Sequence, residues 1–131
     1  MQYHSNEHSE RYNEFCRVFW IAHHQSENLQ LWSFDSTDDL KPYLDNISGL
    51  DVKTLLKDRS VSFQGVQLFL DSGASRKRSG FRGGNIFLPL TSVTEAFTKI
   101  TEAPNSDTFY IPHSKAELDS YLKHFTKSNP L

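Results

Sequence analysis

The densest cluster of residues able to do chemistry lies between Gly73 and Gly84, in the stretch GASRKRSGFRGG. Arg76, Lys77, Arg78 and Arg82 bring four cations together with no acid among them. Such groups donate charge-assisted hydrogen bonds to phosphate or carboxylate oxygens, arginine in a planar fork and lysine as a point charge. Gly80, Gly83 and Gly84 allow positive φ or a close approach of the backbone to a ligand. Phe81 stands among the cations, so a flat ring and guanidinium groups could together grip a phosphate, a base or an acidic protein surface. Arg76, Lys77, Arg78, Phe81, Arg82, Gly83 and Gly84 are therefore the candidate binding residues. The competing account is a solvated loop whose cations keep a sheet edge soluble.

Elsewhere the residue types that catalyse reactions are present, but their spacing is explained without catalysis. There is no GxSxG elbow, CxxC pair, HExxH helix or P-loop. Cys16 lies in an apolar run and reads as a small core residue rather than as a nucleophile with a histidine base. His4 and His8 have the i, i+4 spacing of two ligands on a helix face but lack a third in register. His23 and His24 are adjacent, so on a strand they would point to opposite faces. Asp35, Asp38 and Asp39 sit where a helix begins and read as caps. His113 precedes another helix start and would join the arginines only if the loop folded back toward it. No catalytic residue, metal site or cofactor is assigned.

Net charge adds a second constraint. The overall value is −2, yet residues 1–50 hold three Lys or Arg against eight Asp or Glu, while the loop carries its four cations unopposed. A uniformly basic nucleic-acid binder needs an extended positive face, which this balance does not provide. With 131 residues and 13% aromatic content the chain fits one globular domain with a real core. One cysteine excludes an internal disulfide, and no stretch resembles a membrane span or a leader peptide, so a soluble cytoplasmic protein is expected.

The elements that must hold the loop follow from periodicity. Val61 and Phe63 alternate with polar residues, and Val66, Leu68 and Leu70 resume the alternation one position out of phase, with Gly65 at the slip, which predicts a bulged strand. Ile86, Leu88 and Leu90 carry a returning strand, whose end Pro89, unable to donate to a ladder, places at an edge or at the strand's exit; it is expected to pair antiparallel with the first. The apolar run Phe15–Ala22 predicts a strand buried on both faces, followed by a QSEN turn and a second strand, LQLWSF. Its helical alternative rests on Tyr12, Phe15, Cys16 and Phe19.

Three main helices are expected. Leu40, Tyr43, Leu44 and Ile47 make one stripe, with Pro42 forcing the start toward Asp38 or Asp39. Val93, Ala96, Phe97 and Ile100 face inward behind a Ser92–Glu95 capping box. Leu118, Tyr121, Leu122 and Phe125 do the same behind Ser114 and Glu117, echoing the first helix. A brief helix is expected over DVKTLLKD.

The predicted architecture is an α+β single domain over residues 13–127, with a flexible tail or short helix at 1–12 and a tail at 128–131. Its mixed, mostly antiparallel sheet has about five strands, with the helices on one face. The expected function is a small non-catalytic protein that docks on a protein partner, of inhibitor, immunity, antitoxin-like or phage counter-defence type, through the basic loop and the acidic half. RNA, single-stranded DNA or a nucleotide phosphate is the alternative ligand of the RKRSGFRGG loop, and a cryptic enzyme the third reading. No membrane partner is expected.

Overall fold

Phe15, Val18, Phe19 and Ala22 are all fully buried, and their i, i+3, i+4, i+7 spacing is that of a helix stripe. In the computed structural model, which describes residues 1–7 and 9–131, they lie on helix α1 (Arg11–His24) rather than on the expected strand. Strand β1 (Gln2–His4) precedes it and β2 (Asn28–Ser33) follows. The run looked strand-like because Cys16, Trp20 and Ile21, between the buried positions, are also apolar; these pack only partly against the core. Because a helix separates β1 from β2, there is no hairpin around QSEN.

After β2, Ser36 opens a 3-10 turn over Thr37–Leu40 that continues into the single-turn helix α2 (Lys41–Leu44). Pro42 sits in its first turn, where the missing N–H costs nothing. Helix α3 (Val52–Asp58) matches the expected DVKTLLKD element and is capped by the Asp51 side chain, which accepts from Thr54 N at 3.1 Å. Strands β3 (Ser60–Phe63) and β4 (Val66–Ser72) then form the one antiparallel pair among the described residues. Gln64 and Gly65 have φ of 48° and 82°, so the phase slip is a two-residue hairpin turn, not a bulge.

The remaining elements are β5 (Asn85–Thr91), α4 (Val93–Glu102), β6 (Thr108–Pro112), α5 (Lys115–His124) and β7 (Asn129–Pro130). Among the described residues seven strands form one mixed sheet in the order β3-β4-β2-β5-β6-β1-β7, parallel at every step except β3–β4. The mostly antiparallel expectation is thus corrected. Helix α1 carries the chain from β1 to β2, α4 from β5 to β6 and α5 from β6 to β7, and each of these crossovers returns the chain to a strand parallel to its predecessor. The expected pair across the basic loop is corrected too: β4 and β5 do not touch as neighbours, because β2 lies between them. Leu31 of β2 is in register with Leu70 on one side and Phe87 on the other.

Both termini belong to the sheet rather than forming tails. Tyr3 pairs with Phe109 and with Asn129, and Leu131 N donates to His4 O at 2.9 Å. His4 is buried, bonded through Nδ1 to Ser128 Oγ at 2.8 Å, and its burial holds the imidazole pKa below the ordinary value. Its proposed partner His8 lies outside the described residues.

Two apolar clusters show that helices cover both faces, not one. On the first, α1, α2 and α3 pack over Leu29, Leu31, Leu68, Leu70, Phe87 and Phe109. On the second, Ala96 and Ile100 of α4 and Leu118 and Tyr121 of α5 pack over Ile86, Leu88 and Tyr110. Leu90 was expected beside Ile86 and Leu88. A bulge between Pro89 and Thr91, with Leu90 at φ 58°, turns it to the first face instead. Phe97, expected inward, is 43% exposed against His124 and Phe125.

The caps of α4 and α5 fall where expected: Ser92 Oγ accepts from Glu95 N and Ser114 Oγ from Glu117 N. The two carboxylates do not fold back to complete their boxes. Glu117 Oε2 accepts from Val93 N at 2.7 Å, at the head of α4, and Glu95 Oε2 accepts from Trp32 Nε1 at 3.1 Å.

Candidate functional site

The strand alternation that sends Leu29, Leu31, Leu68 and Leu70 to the first face sends Gln30, Trp32, Phe69 and Asp71 to the second. Over β5 and β6 that second face is covered by α4 and α5; over β2 and β4 it is covered by the basic loop. From the end of β4 the chain must cross β2 to reach β5, and residues 73–84 do so without a helix.

Asp71 pins the crossing. Its carboxylate is 4% exposed and accepts from Gln30 Nε2 at 2.8 Å, from Ser79 N at 2.9 Å and from the Ser79 hydroxyl. Ser79 Oγ in turn accepts from Phe81 N at 3.1 Å. At the entrance Ser72 Oγ accepts from Ser75 N, and Ser72 O accepts from Arg78 Nη1 at 2.8 Å. At the exit a Cβ on Gly84 would lie 2.4 Å from Asn28 O, and Gly84 has φ of 140°. That glycine serves a close approach of the chain to its own backbone rather than to a ligand, whereas Gly80 and Gly83 face open space.

Arg76, Lys77, Arg78 and Arg82 are exposed, and none forms an ion pair among the described residues. Lys77 Nζ donates to Lys57 O at 2.7 Å, so two of the four cations are held by backbone carbonyls that position them and leave their charge uncompensated. Phe81 is not at an exposed tip. Its ring is half-buried, edge-on to Phe69 at 5.4 Å between centroids, and packs with Trp32 against the second cluster.

Between the loop and α4 lies an open cleft of about 440 Å³. Its floor is Gln30, Trp32 and Asp71; one wall is Arg78, Gly80 and Phe81, the other Thr98, Lys99 and Glu102. Trp32 is held by its indole N–H on Glu95, and Lys99 Nζ stands 4.0 Å from the centroid of its ring. Lys99 also lies 3.6 Å from Glu102 Oε2, at the rim. Because a carboxylate only accepts, the Gln30 amide must turn a hydrogen toward Asp71, which fixes its orientation.

Arg78 and Phe81 are thus brought together with Gln30, Trp32, Asp71 and Lys99, none of which the sequence singles out as a site residue. The available signal was the pairing of polar or aromatic residues with Leu29 and Leu31 along β2, which reads equally as a solvated face. The other chemically capable residues lie elsewhere. His113 is exposed and does not line the cleft, and His24 is on α1, across the sheet, with Nδ1 2.6 Å from Trp20 O. Cys16 has Asn46 O at 3.9 Å, and burial pushes its thiol pKa up, away from the reactive thiolate. Asp39 accepts from Ser36 N at 2.9 Å and Ser36 Oγ at 3.1 Å, as a helix-start carboxylate should.

Among the described residues no group of three or more His, Cys, Asp or Glu side chains is arranged to hold a metal ion. No helix there is long and apolar enough to cross a membrane. Neither a protein-family model, nor a curated protein, nor a solved structure matches the chain.

Proposed function

We propose that this chain is a binding protein that docks on an acidic face of a protein partner through Arg76, Lys77 and Arg82, in the manner of an inhibitor or immunity protein. One observation carries the reading: four exposed cations sit on a loop pinned by a buried carboxylate, and no acid among the described residues pairs with them. Several of the molecule's acids are committed nearby in sequence, Glu14 to Arg17, Asp45 to Lys41 and Asp51 to Thr54. A charged surface held in place before contact loses less conformational freedom on binding and steers the encounter.

The experiment is capture from an extract of the native host on immobilised wild-type chain and on the Arg76→Ala/Lys77→Ala/Arg82→Ala variant. The expected result is a protein retained by the wild type at low salt, released as salt rises and missing from the variant. A partner held equally by both overturns the reading. Retention of RNA or single-stranded DNA instead would transfer the loop to a polyanion.

A further inference from the structure

We infer that the cleft between the basic loop and α4 is a nucleotide site, taking a nucleoside phosphate with its base against Trp32 and Phe81 and its phosphate between Arg78 and Lys99. The inference rests on the loop being an anion-binding surface and adds a ligand of definite chemistry on its inner side. The cavity of about 440 Å³ falls within the range of small-molecule sites, roughly 300–1,000 Å³. Its lining excludes simpler occupants. An apolar ligand would strip water from Arg78 and Lys99 with nothing to replace it. Inorganic phosphate would answer the two cations and leave both rings unused.

A flat heteroaromatic carrying a phosphate uses every group present. Trp32 is locked by Glu95 and Phe81 by its edge contact with Phe69, so neither ring must be ordered when a base arrives. The Gln30 amide is 6% exposed and oriented by Asp71, which makes it a fixed polar group for a base edge. Arg78 is anchored by Ser72 O through one nitrogen and keeps its remaining donors for phosphate oxygens. The acids in the cleft fit the same ligand. Both oxygens of Asp71 are already occupied by Gln30 and Ser79, and Glu102, 60% exposed at the rim, is an acceptor for ribose hydroxyls.

The shared chemistry is a nucleoside monophosphate, free or at the end of a strand. The test is calorimetric titration of the wild-type chain with the four ribonucleoside 5′-monophosphates, their parent nucleosides, inorganic phosphate, and a short 5′-phosphorylated single-stranded oligonucleotide. At least one monophosphate should bind, with its nucleoside and inorganic phosphate each weaker by about tenfold or more. Lys99→Gln, on α4 and outside the loop, should weaken it by a similar factor, as should Arg78→Gln; the helix change guards against an effect on loop folding. Oligonucleotide binding with the same dependence on Lys99, and none by free nucleotides, makes the ligand a strand end. No response to any nucleotide or oligonucleotide up to millimolar concentration, or binding unaltered by both substitutions, overturns the inference. Retained binding of poly-glutamate in that case would leave the loop's docking role intact, and loss of both would remove it as well.

Discussion

Asp71 is nearly excluded from solvent and makes no ion pair among the described residues; its hydrogen bonds come from an amide, a hydroxyl and a backbone N–H. This arrangement explains why the loop's own arginines remain available, since the nearest buried carboxylate has its acceptor sites filled by neutral donors. Gly84 imposes the other constraint at this scale. A methyl group there would meet a backbone carbonyl, which cannot swing aside as a side chain can, and the φ of 140° is one that L-residues avoid. Gly84→Ala is expected to destabilise the fold by about 2 kcal/mol or more, read as a lowered urea midpoint, while Gly83→Ala, with open space around its Cβ, should cost less. The glycines were legible as backbone requirements. What could not be read was whether the close neighbour is a ligand or the chain itself, because Asn28 is far away in sequence.

Helices α4 and α5 illustrate what local sequence can specify. Their caps, Ser92 and Ser114, and their buried stripes lie within a few residues of one another, and both elements form where the spacing places them. Helix α1 was ambiguous because apolar residues continue around more than one face, and only packing on Phe87 and Phe109 selects the helical solution. Strands β1 and β7, three and two residues long, carry too little pattern to be seen at all; β1 exists because β6 offers an edge, and β7 because β1 offers the next. Parallel pairing is likewise invisible locally. The contact between Glu117 and the head of α4 adds a tertiary cap to the local one, joining the two helices of the second face. Glu117→Ala should therefore cost about 1–2 kcal/mol in chemical denaturation, because Val93 N is left without its acceptor.

At the scale of the whole molecule, the sheet separates two tasks. One face is closed by α1, α2 and α3 over an apolar cluster; the other is divided between two helices and a basic crossing loop. The cations of that loop were legible because they are contiguous. The cleft was not, because Trp32, Asp71, Phe81 and Lys99 come from four separate elements and meet only when β2 is inserted between β4 and β5. The acid-rich residues 1–50 do not neutralise the loop, since several of their carboxylates are bound as caps or to cations close in sequence. The molecule therefore presents uncompensated positive charge on a fixed support despite its net charge of −2.

The most direct measurement of that claim is a calorimetric titration with poly-glutamate, run at low and at moderate salt on the wild type and on the Arg76→Ala/Lys77→Ala/Arg82→Ala variant. Exposed charges with no internal partner should give binding that weakens steeply as salt screens it and that disappears in the variant, with the urea midpoint unchanged. Equal binding by both chains, or no binding by the wild type even at low salt, would contradict it.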